Sequence, residues 1–209
     1  FILCFKDGVN GVNLGEFVLF FYNAFRYDGQ IIGVMSVVFF FLALLPKEKI
    51  VKIYAFLVIF ISTFVSVANI GFYGIYQDVF NASLLGLIYD DRKAIFETAL
   101  GADYGLTYKV LLWLVVSVLF YALWAFFHAQ IAKIQGKKFR ISLFVAFALL
   151  CLFEINGQIG LKGISLGKEI VPVPNAFLRQ ITQGAFRDLL YVYMSYAKIA
   201  KSAFKDYTD

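Results

Sequence analysis

Cationic, carboxylate and amide side chains cluster at the ends of this chain's apolar segments, where they can form ion pairs or meet an anion. Arg26 and Asp28 precede one apolar run, Glu154 and Asn156 close another, and Lys162 follows soon after. Asn81, Asp90 and Arg92 lie between two further runs, and Arg179 lies in the tail. A phosphate in a partly desolvated interface is best met by cationic donors, which marks Arg26, Arg92, Lys162 and Arg179 as headgroup or interdomain contacts. Asp28, Asn81, Asp90, Glu154 and Asn156 are candidates for the same contacts. Glu154 reads in two ways: as a structural ion pair with Arg26, Arg92 or Lys162, or as a carboxylate that handles substrate. A charge at the bilayer centre costs on the order of 3 kcal/mol, so Glu154 is expected at a membrane edge.

A complete catalytic constellation is not visible. His128, the one histidine, stands beside Trp124 and Phe127 and reads as an interfacial anchor rather than a metal ligand. There is no Walker-type phosphate loop, nucleophile elbow or HExxH pattern. Residues 77–105 hold carboxylates that could gather a divalent cation, but Asp90-Asp91-Arg92-Lys93 also reads as a self-neutralised, solvated turn. After Glu154, Gly157, Gly160 and Gly163 interrupt helix propensity. A tight turn is the minimal reading, and N–H groups beside Lys162 would also suit an anion such as a lipid phosphate.

The elements that must position these residues are membrane spans. Apolar stretches cover 31–45, 53–75, 106–128 and 141–153. A hydrocarbon core of roughly 30 Å takes about 20 helical residues to cross, and three of the stretches reach that length with their uncharged flanks. The shortest, 31–45, borrows from residues 28–30 or from Pro46, which ends it. Residues 14–25 are apolar apart from Glu16 and Asn23, and are expected to form a separate lipid-edge helix that turns at Arg26-Tyr27-Asp28. Phe1-Ile2-Leu3-Cys4-Phe5 reads as the tail of one more span.

The expected fold class is therefore an all-α membrane protein, a polytopic bundle of about five transmembrane helices with the first truncated. Its spans fall near 1–5, 31–46, 53–75, 106–128 and 141–157 within a transmembrane domain at 1–158. Residues 159–209 form an extracytoplasmic loop and interfacial helix. Composition agrees: 61% of residues are hydrophobic, 19% are aromatic, and mean hydropathy is +0.78, outside the soluble range. Cys4 and Cys151 lie inside apolar runs and imply no disulfide framework. Asn69, with Ser62, Thr63 and Ser66, is read as interhelical packing and hydrogen bonding.

Orientation follows from lysine and arginine, which are retained on the cytoplasmic side in short loops. Lys47, Lys49 and Lys52 flank one connection, and Lys133, Lys137, Lys138 and Arg140 fill another. With both inside, residues 6–30, 76–105 and everything after 156 lie outside. The net charge of +5 is then largely an orientation device, and no nucleic-acid partner is needed to explain it. Tyr73, Tyr76, Tyr89, Tyr104 and Tyr108 near the outer boundary read as an aromatic belt.

The tail places apolar residues at Leu178, Ile181, Ala185, Leu189, Val192, Tyr196, Ile199 and Ala203, in steps of three and four. That spacing predicts one amphipathic helix over 175–206, with Asn175 as its N-cap. Its other face carries Arg179, Gln180, Gln183, Arg187, Lys198, Lys201 and Lys205, suited to anionic headgroups at the outer leaflet or to a following domain.

Taken in order, these motifs resemble the membrane domain of lipoteichoic acid synthase-like phosphoglycerol transferases, the membrane-bound branch of the alkaline phosphatase/sulfatase superfamily. Phe25-Arg26-Tyr27-Asp28 is similar to the family's Arg-Tyr/Phe-Asp pattern. Tyr73, Tyr76, Phe80 and Asn81 leading to Asp90 are similar to its Tyr-Tyr…Phe…Asn…Asp stretch. The segment from Asn156 to Lys162 is similar to its Asn-x-x-Gly-Gly exit loop, with Gly157 and Gly160 standing apart where the family pairs its glycines.

The resemblance implies a multi-pass protein of the bacterial cytoplasmic (inner) membrane with its carboxyl terminus extracytoplasmic. It also implies transfer of a phosphoglycerol-type headgroup from a membrane phospholipid to an extracytoplasmic glycan or lipid acceptor. The Thr nucleophile and the manganese or other divalent metal would belong to a further extracytoplasmic catalytic domain; no cofactor is implied within these residues. Two other readings stand beside it: the membrane domain of a lipid A phosphoethanolamine transferase, and a non-enzymatic transporter or anchor subunit.

Overall fold

The computed structural model describes residues 8–43, 47–85, 105–133, 137–156 and 172–203. They are helical, in the order α1 (Leu14–Ala43), α2 (Glu48–Tyr76), α3 (Leu106–Ala132), α4 (Lys137–Asn156), α5 (Ala176–Ile181) and α6 (Ala185–Ala203). Helices α1, α2 and α3 are each long and apolar enough to cross a membrane. In their most apolar windows only 22%, 22% and 6% of the residues are buried, so most of this surface needs a cover from outside the chain. The expected span at 1–5, Pro46, and most of residues 77–105 and 157–171 lie outside the described residues.

The turn expected at Arg26-Tyr27-Asp28 does not form; α1 runs unbroken for 30 residues. The reason is energetic. A turn there would strip several N–H and C=O groups of intrahelical partners, each costing several kcal/mol in lipid. Against that, α1 contains no proline, and a glycine such as Gly29 weakens a helix by only about 1 kcal/mol. At about 1.5 Å per residue α1 rises roughly 45 Å, which also removes the shortfall of the 31–45 stretch. Its start is fixed locally: Asn13 Oδ1 accepts from Glu16 N at 2.9 Å, and Asn13 Nδ2 donates to Glu16 Oε1 at 3.2 Å.

The chain divides into two compact units, one of Phe1–Ala24, Val65–Val110 and Ser165–Asp209, the other of Phe25–Phe64 and Leu111–Ile164. The second unit is joined by aromatic and hydroxyl contacts between helices. Trp113 Nε1 donates to Phe60 O at 3.0 Å while the two rings lie 4.4 Å apart, and Thr63 and Ser117 hydroxyls meet at 2.6 Å. Tyr54 donates to Met35 O at 2.9 Å, Phe39 packs edge-on to Trp124, and Phe40 stacks with Phe147. His128 stacks on Trp124 at 5.0 Å, one turn away.

In the first unit, Val65, Phe72, Phe80 and Val192 form the core, with Ala68, Leu84, Leu85, Ala185, Phe186 and Leu189 against it. Helix α2 ends at Gln77, whose φ of 53 and N–H bond to Tyr73 O reverse the chain. Asn69, expected between helices, instead accepts from Phe80 N at 3.0 Å and holds the returning segment on its own helix.

The single amphipathic helix expected over 175–206 is two helices. Asn175 caps α5 as predicted, accepting from Leu178 N at 2.9 Å, and its Nδ2 also donates to Gly8 O at 3.0 Å. Gly184, at φ 77, then redirects the chain, and its carbonyl accepts from Asp188 N to start α6. The break changes which face is covered. Gln183 and Arg187, assigned to the solvated basic face, are buried, Arg187 to 1% exposure.

Candidate functional site

The predicted contact residues gather most closely where α1 meets the last turn of α4, within the second unit. On α1, Arg26, Gly29, Gln30 and Gly33 recur at steps of three and four and so share one face. Opposite them stand Glu154 and Ile155 of α4. Gln30 Nε2 donates to Ile155 O at 3.1 Å, across 125 positions of sequence. That carbonyl is one of the last four of α4, which have no partner inside their own helix, so Gln30 completes the helix end.

Two glycines make the approach possible. A Cβ at Gly33 would stand 3.0 Å from Glu154 Cβ, Ile155 Cγ1 and Ile155 N, and one at Gly29 would collide with the Glu154 carboxylate. The Glu154 side chain therefore lies against bare backbone of α1. A carboxylate in the last turn of a helix opposes the macrodipole, at a typical cost of about 0.3–1 kcal/mol, so helix stability does not explain why it is there. Arg26 lies half-buried about one turn before Gly29, and Asp28 is exposed on the same helix; Glu154 and Asn156 are half-buried. Arg26 and Gln30 thus lie on the α1 face that meets the last turn of α4, which holds Glu154 and Asn156, while Asp28, two positions from both, lies on the other side of α1. This set can meet a phosphate with Arg26 and accept hydrogen bonds from hydroxyls with the Glu154 carboxylate.

Family models, curated proteins and solved structures give no match to this chain. Its chemistry is therefore read from the residues themselves.

The other predicted positions are not drawn into this cluster. Asn81 serves its own turn, donating to Asp78 Oδ2 at 2.7 Å and accepting from Ser83 N at 2.9 Å. Arg179 is exposed on α5, and both it and Asn81 belong to the first unit. Asp90, Arg92 and Lys162 lie outside the described residues, as does the acidic segment around Asp90. Among the described residues, no group of three or more His, Cys, Asp and Glu side chains could hold a metal ion.

Sequence reasoning missed Gly29, Gln30 and Gly33. The available signal was the Gly-x-x-x-Gly spacing in an apolar helix, which marks close helix approach. It also missed the buried polar residues of the first unit, Asn23 at 1%, Thr182 at 1%, Arg187 at 1% and Asp188 at 6% exposure. Asn23 Nδ2 donates to Leu19 O at 2.8 Å, and Thr182 donates to Leu178 O. No local pattern distinguishes these side chains from solvated ones.

Proposed function

We propose that this chain is the membrane domain of a phosphoglycerol-type transferase, and that the α1–α4 junction receives the phospholipid headgroup. The observation that supports the reading is the meeting of two separated motifs, Arg26-Tyr27-Asp28 and Glu154-Ile155-Asn156, through the Gln30–Ile155 hydrogen bond at 3.1 Å. In this reading the lysine-rich connections are cytoplasmic and the junction faces outward. The donor's acyl chains stay in the leaflet while Arg26 meets its phosphate. Glu154 accepts hydrogen bonds from the glycerol hydroxyls, so the headgroup is held at one height for an extracytoplasmic catalytic domain. Restraining the donor in this way replaces a three-dimensional search with an oriented encounter.

The test is turnover of labelled phosphatidylglycerol by the full-length enzyme carrying Arg26→Ala or Glu154→Gln. Losing a hydrogen bond to a charged group costs about 1.5–3 kcal/mol, so the Arg26→Ala variant should fall roughly tenfold or more in kcat/KM. Unchanged turnover in both variants, with normal membrane insertion, removes the junction from the site.

A further inference from the structure

Helix α6 begins in contact with α2 and then outruns that contact. Val192 shares a core with Val65 and Phe72 of α2 and with Phe80, and Ala185, Phe186 and Leu189 pack against that core; α2 is apolar and long enough to cross a membrane. The following turn and a half presents Tyr193, Met194, Tyr196 and Lys198, all exposed, Tyr193 to 67%. Leu189 and Val192, which the sequence pattern would have laid on lipid, thus pack on protein, whereas Tyr196 of that same pattern is open beside Tyr193 and Met194.

We infer that the exposed Tyr193–Met194–Tyr196 surface of α6 is a lipid contact, seated in the headgroup region of an anionic leaflet. Three observations carry this. The helix is held at bilayer height, because its Val192 shares a core with Val65 and Phe72 in the last turns of a spanning helix. The open side chains are of the type that partitions to that depth: tyrosine rings prefer the interface while their hydroxyls reach water, and methionine tolerates disordered surroundings. Charge complements an anionic leaflet, since residues 189–203 contain Lys198 and Lys201 and no acid. Juxtamembrane lysines contribute about 1 kcal/mol each at such a surface. Ile75 and Tyr76, at the end of α2 in the same unit, are exposed as well. The inference rests on the membrane reading of α2 and is independent of any headgroup transfer.

The experiment places single cysteines at Tyr193 and Tyr196, in the full chain with Cys4→Ser and Cys151→Ala, and labels them with an environment-sensitive fluorophore. A label at exposed Arg179 of α5 serves as the reference. The protein is reconstituted in phosphatidylcholine vesicles with and without about one third phosphatidylserine, an anionic lipid that cannot donate phosphoglycerol. Labels at 193 and 196 should be quenched by headgroup-level nitroxide lipids on the order of threefold more than the Arg179 label, and more strongly with phosphatidylserine present. Lys198→Glu should weaken the phosphatidylserine effect without altering helix content. Equal access of all three labels to aqueous iodide, with no lipid quenching, overturns the inference. Shielding from both iodide and lipid overturns it too, because the cover is then protein.

Discussion

The α1–α4 junction makes opposite demands on two glycines that lie one turn apart, and alanine at each separates stability from function. At Gly33 an added methyl would stand 3.0 Å from three atoms, one of them the backbone nitrogen of Ile155. Backbone cannot rotate away, so the helices must part by a few tenths of an ångström. Overpacking of this kind costs about 1–3 kcal/mol, against a helix-propensity gain of about 0.5–1 kcal/mol, so the Gly33→Ala variant should be destabilised by about 0–2.5 kcal/mol. At Gly29 the obstacle is the far end of the Glu154 side chain, which can swing aside. The Gly29→Ala variant should keep the propensity gain and be about 0.5–1 kcal/mol more stable, while its Glu154 carboxylate is displaced. Both tryptophans, Trp113 and Trp124, lie in the same unit as the junction, so their fluorescence during denaturation in mixed micelles reports the difference. In the transferase reading proposed above, headgroup turnover should fall for the Gly29→Ala variant despite its stability. Equal stability of the two variants refutes the packing argument. Normal turnover by the Gly29→Ala variant shows that the position of Glu154 does not matter to the reaction.

Two further outcomes follow from contacts elsewhere. Asn175 both caps α5 and donates to Gly8 O, so Asn175→Ala should cost about 1.5–3 kcal/mol and raise proteolysis of the segment around Gly8; an Asn175→Asp variant should keep the cap and lose only the Gly8 bond. The Thr63–Ser117 pair at 2.6 Å shares two hydroxyl protons among Ile59 O, Trp113 O and each other. A cycle of Thr63→Val and Ser117→Ala should give a coupling of about 0.6 kcal/mol, typical of interhelical hydrogen bonds in membranes, and a value near zero would mean that each hydroxyl bonds only its own helix.

Local chemistry was legible in the sequence. The apolar stretches at 53–75 and 106–128 became α2 and α3 nearly in place, because an apolar run in lipid must satisfy its backbone internally. Asn175 was identifiable as a cap because capping is decided within three residues. Where reading failed, the period was right and its continuity was wrong. The steps of three and four through Leu178, Ile181, Ala185 and Leu189 run straight across Gly184, and only the positive φ there reveals that two helices meet. At Arg26-Tyr27-Asp28 the error was reversed: polar side chains suggested a break, but they do not remove a single backbone hydrogen bond from α1.

The sequence by itself determined that the segments of α2 and α3 are helical and apolar enough to cross a membrane, since those properties sum over neighbouring residues. Only the tertiary structure decided that Gln30 caps α4 from 125 positions away, that Asn69 serves Phe80 rather than another helix, and that Arg187 is buried while Tyr193 is open. These outcomes depend on which faces two helices bring together. That choice is made by shape, at glycines such as Gly29 and Gly33, and hydropathy along the chain does not encode it.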